Sequence, residues 1–142
     1  MMRKLTEAEC MYAMEHGEFS PALTGSSKRT AIILTQSWCP QWARMRSYLE
    51  IVENTLRDRL LADKKPSEDS SEPKAGASSG AVGDIAILYV GYDKEPWFEE
   101  FMAFKEDTFG NREVPYVRYY REGSLSGETN YLSADGFVSR LI

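Results

Sequence analysis

The feature that most constrains this chain is a short, nearly continuous apolar run, Ala31 to Thr35 (AIILT), that leads at once into a turn and a long helical pattern. A run this short, rich in β-branched residues and without polar alternation, suits a central strand buried on both faces. Ser37, Trp38, Cys39 and Pro40 make the turn. Beyond it Trp42, Met45, Leu49, Val52, Leu56 and Leu60 recur every three or four residues, with Arg44, Arg46, Glu50 and Arg57 on the other faces. That spacing predicts an amphipathic helix, and Pro40 fits its first turn, where the missing N–H costs nothing. A buried strand feeding such a helix is half of a βαβ unit and points to an α/β architecture.

The rest of the chain extends the pattern. Thr6 and Glu9 form a capping box, Ala8, Met11, Tyr12 and Cys10 supply an apolar side, and Gly17 supplies a stop, so a first helix is expected there. Pro21 to Lys28 reads as a loop. Ile85 to Tyr92 (IAILYVGY) is a second apolar strand. Pro96, Trp97, Phe98, Phe101, Met102 and Phe104 predict a helix whose aromatic face packs into the core, ended by Phe109 and Gly110. Tyr116 to Tyr120 is a third strand, Glu122-Gly123 a tight turn, and Ser124 to Thr129 a fourth strand. Ser133 caps a last helix that buries Phe137, Val138 and Leu141. The expected order is α-β-α-β-α-β-β-α, a mixed sheet of about four strands flanked by helices.

Lys64 to Asp84 differs in kind, being built from Ser, Gly, Ala, Pro and charges. It cannot bury enough surface to offset its ordering entropy, and it is expected to be a flexible insertion loop. The flanking pieces are each too small for a core of their own, so residues 1–142 are expected to form one domain. The net charge of −5 gives a soluble acidic chain and argues against a nucleic-acid partner. No stretch approaches the roughly 18 apolar residues of a membrane span. The N-terminus lacks the apolar segment of a secretory signal. The two cysteines are too few for a disulfide framework and lack zinc-site spacing, so a reducing cytoplasm is expected.

The segment SWCPQW, placed after a buried strand and opening a long helix, resembles the active-site turn of the thioredoxin-like superfamily. FGNREVPYVRYYREG, with Val114-Pro115 beginning a strand and Glu122-Gly123 turning into a hairpin, is similar to that family's cis-proline segment. These landmarks follow the family order over most of Ala31 to Ile142. The resemblance implies a thioredoxin-like fold, a cis Pro115 and a nucleophilic Cys39. It also implies that Trp38, Pro40, Gln41 and Trp42 surround that thiol and that Val114 and Pro115 dock the substrate backbone. Two departures stand out. The usual Cys-x-x-Cys reads Cys39-Pro40-Gln41-Trp42 here, and the strand carboxylate of many thioredoxins falls at Ile33.

A cysteine at a helix start is placed where free N–H groups and the macrodipole favour thiolate. A dithiol cycle needs a second thiol, which Trp42 cannot supply. Three routes follow. Cys39 works as a monothiol, forming a mixed disulfide with a protein or small-thiol substrate; monothiol superfamily members do this, and some bind glutathione or iron–sulfur clusters. Alternatively Cys10 resolves the mixed disulfide, although a small hydrophobe on the first helix is the plainer reading of that residue. In the third route the chain is a redox-inactive adaptor that binds a protein partner through a Trp38, Trp42 and Pro115 face. Trp42 also fits a core position, whereas Trp38 is expected at the surface. The lone histidine, His16, suits a helix end, and no Cys–His pair supports protease-like catalysis. Paired carboxylates, phosphate loops and metal clusters are absent from the pattern, and no cofactor is expected.

Overall fold

The computed structural model describes residues 2–63 and 85–141, so the expected loop at 64–84 lies outside the described residues. Strand β1 (Met2–Lys4) leads through the Thr6 capping box into helix α1 (Glu7–His16), which Gly17 ends at φ 81°. Helix α2 (Pro21–Thr24) is a single turn. Strand β2 (Arg29–Thr35) runs into helix α3 (Pro40–Asp63). Strand β3 (Ile85–Gly91), a 3₁₀ turn (Tyr92–Lys94) and helix α4 (Phe98–Asp107) come next. The hairpin of β4 (Tyr116–Arg121) and β5 (Ser124–Thr129) and helix α5 (Ala134–Leu141) complete the order.

The five strands form one mixed sheet in the order β1-β3-β2-β4-β5. β1 and β2 pair parallel to β3, while β4 pairs antiparallel to β2 and to β5. The two parallel strands at the centre are the two apolar runs of the sequence, aligned Ile32 to Leu88 and Ile33 to Tyr89. Because successive strand residues face opposite ways, β2, β3 and β4 each feed two cores. Ile32, Leu34, Leu88, Val90, Tyr116 and Tyr120 meet Cys10, Ala13, Leu23, Phe101 and Phe104, on the face covered by α1, α2 and α4. Ala31, Ile33, Ile85, Ile87, Val117 and Tyr119 meet Met45, Leu49, Leu56, Phe137 and Leu141, on the face covered by α3 and α5.

Two elements depart from the sequence expectation. The sheet has a fifth strand, β1, a short parallel edge strand whose Arg3 and Lys4 stay exposed. Its polar side chains carry no period-two signal, and its partner lies more than eighty residues away at Ile87 to Tyr89. The stretch read as a loop from Pro21 holds α2, because Ser20 accepts from Leu23 N and Pro21 occupies the first turn. The hairpin turn lies where expected: it needs positive φ at both central residues, and Glu122 (51°) and Gly123 (89°) adopt it.

Candidate functional site

Cys39 closes the β2–α3 turn. Its N–H donates to Gln36 O and its carbonyl accepts from Ala43 N, each at 3.1 Å, so it stands at the opening of α3. The turn is tied down from the side: Ser37 N and Ser37 Oγ donate to the two carboxylate oxygens of Asp93 at 2.6 and 2.7 Å. Asp93 sits in the 3₁₀ turn after β3, so the turn is fastened to the neighbouring parallel strand. Gln36 contributes twice, accepting from the Trp38 indole and donating to the Tyr92 hydroxyl.

The residues singled out in the sequence divide into buried and exposed sets. Trp38 is 64% exposed, and Pro40 and Gln41 are exposed beside it. Cys39 is only 4% exposed, and Trp42 is 2% exposed, packed against Tyr89 with ring centroids 5.5 Å apart. Pro115 is buried and Val114 half-buried. A binding face made of Trp38, Trp42 and Pro115 is therefore corrected: two of its three members are inside. Trp42 follows the apolar stripe of α3 inward, as Met45 and Leu49 do, so helical periodicity overrides any surface role.

Across from the turn, the Val114–Pro115 peptide is cis, and Cys39 Sγ lies 3.6 Å from the Val114 carbonyl oxygen, to which it donates. A polar brace that the sequence did not reveal holds this segment. Asn130 Nδ2 donates to Pro115 O at 3.0 Å, and Asn130 and Asn111 exchange side-chain hydrogen bonds at 3.1 Å. Asn111 Oδ1 accepts from Glu113 N, while Asn111 O accepts from Lys105 Nζ at 2.8 Å. Lys105 is 1% exposed, and burial lowers its pKa to about 8. The only sequence signal for this brace is a pair of asparagines at turn positions, which usually stabilise their own turns.

Cys10 is fully buried in the core under α1, and Cys39 belongs to the core under α3. The two thiols are on opposite faces of the sheet, so Cys10 cannot resolve a disulfide at Cys39 in the folded chain. Burial, then the nearby Glu9 and Glu95 carboxylates, pushes the Cys10 thiol up to about 12. His16 stacks on Tyr12 with centroids 3.9 Å apart and bonds Tyr12 O through Nδ1, at the exposed end of α1. Ile33, where many thioredoxins carry a carboxylate, is fully buried and apolar. Among the described residues no group of acids, histidines and cysteines is arranged to hold a metal ion, and no helix is long and apolar enough to cross a membrane.

Two parallel strands followed by an antiparallel hairpin, with helices on both faces and a cis-proline loop opposite a cysteine at a helix start, make the thioredoxin fold. Solved structures carry the same fold. A thioredoxin-like protein (Trxlp) from Edwardsiella tarda EIB202 superposes at TM-score 0.56 with 13% identity, covering 99% of this chain and 98% of that one. A structure described as the basis of thiol resolving in yeast mitochondrial 1-Cys peroxiredoxin via glutathione/thioredoxin systems matches at 0.56 and 11%, over 99% and 92%. Oxidised thioredoxin from Plasmodium falciparum matches at 0.55 and 8%, over 99% and 97%. No protein-family model matches the chain, and no curated protein does.

Proposed function

We propose that the protein acts in thiol–disulfide chemistry as a monothiol, with Cys39 as the nucleophile. The observation that carries this reading is the seat of Cys39 at the opening of α3, 3.6 Å from the Val114 carbonyl and beside a cis Pro115. In the first step the Cys39 thiolate attacks one sulfur of a substrate disulfide. A bond forms from Sγ to that sulfur, the substrate S–S bond breaks, and the departing thiolate takes a proton from water. A second thiol, from a small molecule or a protein, then attacks the mixed disulfide as a thiolate. It carries the captured sulfur away in a new disulfide and returns Cys39 to thiolate. The incoming disulfide is the oxidant and the second thiol the reductant, so no partner cysteine within the chain is needed. The half-buried Val114 docks the substrate backbone with the buried Pro115 beneath it, Trp38, Pro40 and Gln41 form the exposed approach, and Trp42 supports the turn from below.

A second reading has its own support in the 4% exposure of Cys39 next to a 64% exposed Trp38. In it the chain is a redox-inactive adaptor whose partner is held by Trp38, Pro40 and Gln41. The two readings separate in one experiment, in which Cys10→Ala protein is incubated with glutathione disulfide at neutral pH and the adduct is followed by mass spectrometry. The monothiol reading expects one glutathione on Cys39, formed about tenfold or more faster than on an unstructured cysteine peptide. No adduct on the folded chain, or a rate at or below that of the peptide, sinks it in favour of the adaptor.

A further inference from the structure

Helices α1 and α4 flank an open groove of about 580 Å³ on the sheet face opposite Cys39. Its floor is apolar and adaptable: Met11 and Met14 are half-buried, Phe104 is buried, and Ala103 opens the wall between them. Methionine is unbranched and polarizable, which lets such a floor reshape around an inserted side chain. The rim has one sign of charge. Glu15 stands on the α1 side and Glu100 and Asp107 on the α4 side, all exposed, and none has a hydrogen-bond or ion-pair partner among the described residues. No lysine or arginine lines the groove.

We propose that this groove docks a basic amphipathic helix of a partner protein. Two helices side by side leave a furrow that a third helix fills by ridge-and-groove packing, and the anchors of such a ligand recur at i, i+3 or i+4 and i+7. Its apolar stripe enters over Met11, Met14 and Phe104. Its lysines or arginines, flanking that stripe, face Glu15 on one side and Glu100 and Asp107 on the other. The acidic rim selects a cationic partner and rejects an anionic one, and the net charge of −5 steers the same choice at longer range. Because the groove lies across the sheet from Cys39, docking here leaves the thiol side open and stands independently of the chemistry assigned to it.

The test uses the full chain and a fluorescein-labelled helical peptide with leucines at the anchor spacing and lysines elsewhere, followed by fluorescence anisotropy. Saturable binding is expected, weakened about tenfold or more both by high salt and by the triple variant E15Q/E100Q/D107N. A peptide of equal charge with serines in place of leucines should not bind. Amide shifts on titration should centre on Met11, Met14, Ala103 and Asp107. The proposal is overturned by any of several results: no binding of the leucine peptide, equal binding by the triple variant, or equal binding of the serine peptide. Shifts centred on the Trp38 turn overturn it as well. So does a dimer of the chain alone in sedimentation that Met14→Lys disperses, since a second copy would then be the occupant.

Discussion

The Arg118 guanidinium meets the Glu18 carboxylate at 2.6 Å, joining residues 100 positions apart in the chain. Arg118 lies in the middle of β4 and is 6% exposed, yet its donors are occupied. Nε donates to the Tyr120 hydroxyl and Nη1 to the Tyr116 hydroxyl, each at 2.8 Å, and the guanidinium carbon lies 3.7 Å over the Phe109 ring. Tyr120 donates in turn to Glu18, and Tyr116 to Glu128. A planar fork with several donors suits such a site, where a lysine would leave hydroxyls unmatched. Arg118→Met should therefore cost about 2–3 kcal/mol, because it removes three charge-assisted hydrogen bonds at once, to Glu18 and to the Tyr116 and Tyr120 hydroxyls. Urea denaturation reads this as a lower midpoint at unchanged slope, and a loss under about 0.5 kcal/mol would remove the network from the account.

Trp38 and Trp42 make a matched pair of opposite environments. Trp42→Ala empties a core position and should cost about 3–5 kcal/mol, whereas Trp38→Ala should cost less than about 0.5 kcal/mol. Iodide quenching checks the same contrast without a stability measurement. Wild-type fluorescence should lose a quenchable component in Trp38→Ala, because Trp42 and Trp97 are 2% and 6% exposed. Equal costs for the two substitutions would contradict the placement of the turn.

The brace on the Pro115 loop predicts a local effect. Asn130→Ala removes the donor to Pro115 O and the reciprocal pair with Asn111, at a cost of about 1–2 kcal/mol. Hydrogen exchange should rise at Glu113, whose N–H is held by Asn111 Oδ1, before it rises in the central strands. Uniform acceleration across β2 and β3 would mean that Asn130 supports the whole fold rather than this loop.

Lys105 gives a pH signature with a defined sign. Burial lowers its folded pKa to about 8 from an ordinary 10.5, so between these values the unfolded chain binds the extra proton. Stability should then rise with pH from about 8, and the window closes near 10, where tyrosines of the unfolded chain begin to ionise. Chemical denaturation of Cys10→Ala protein at fixed ionic strength across pH 7 to 10 reads the slope without the opposing ionisation of the unfolded Cys10 thiol, and Lys105→Met in that background should flatten it. A flat Cys10→Ala profile would contradict the burial of the ammonium group.

Cys10 should behave as an inert core thiol. Fully buried and with its pKa pushed up to about 12, it should react with an aromatic disulfide reagent at pH 8 only as fast as the chain opens. Labelling of Cys39→Ser protein should therefore accelerate in step with urea. Fast labelling in the folded state would mean that α1 detaches locally.

Much of the fold was legible in residues because its signals are local. The buried runs at Ala31 and Ile85, the Thr6–Glu9 capping box, the apolar stripe of α3 and the Glu122-Gly123 turn each depend on chemistry within a few neighbours. The missed pieces depend on distant partners. β1 exists because Leu5 N and the Met2 to Lys4 backbone find β3, and Arg118 is buried because Glu18 and Phe109 reach it from other elements.

The same division governs the candidate site. By itself the sequence determined that a cysteine opens a long helix after a buried strand, that a Val-Pro pair starts a later strand, and that the fourth motif position is tryptophan. Only the tertiary structure decided that Cys39 is buried against the Val114 carbonyl, that Pro115 is inside, and that Cys10 is across the sheet. Helical and strand periods are short-range properties of the backbone, so they can be read from spacing. Which face of the sheet a helix covers is set by the handedness of its crossover and by long-range pairing, and that choice separates the two thiols.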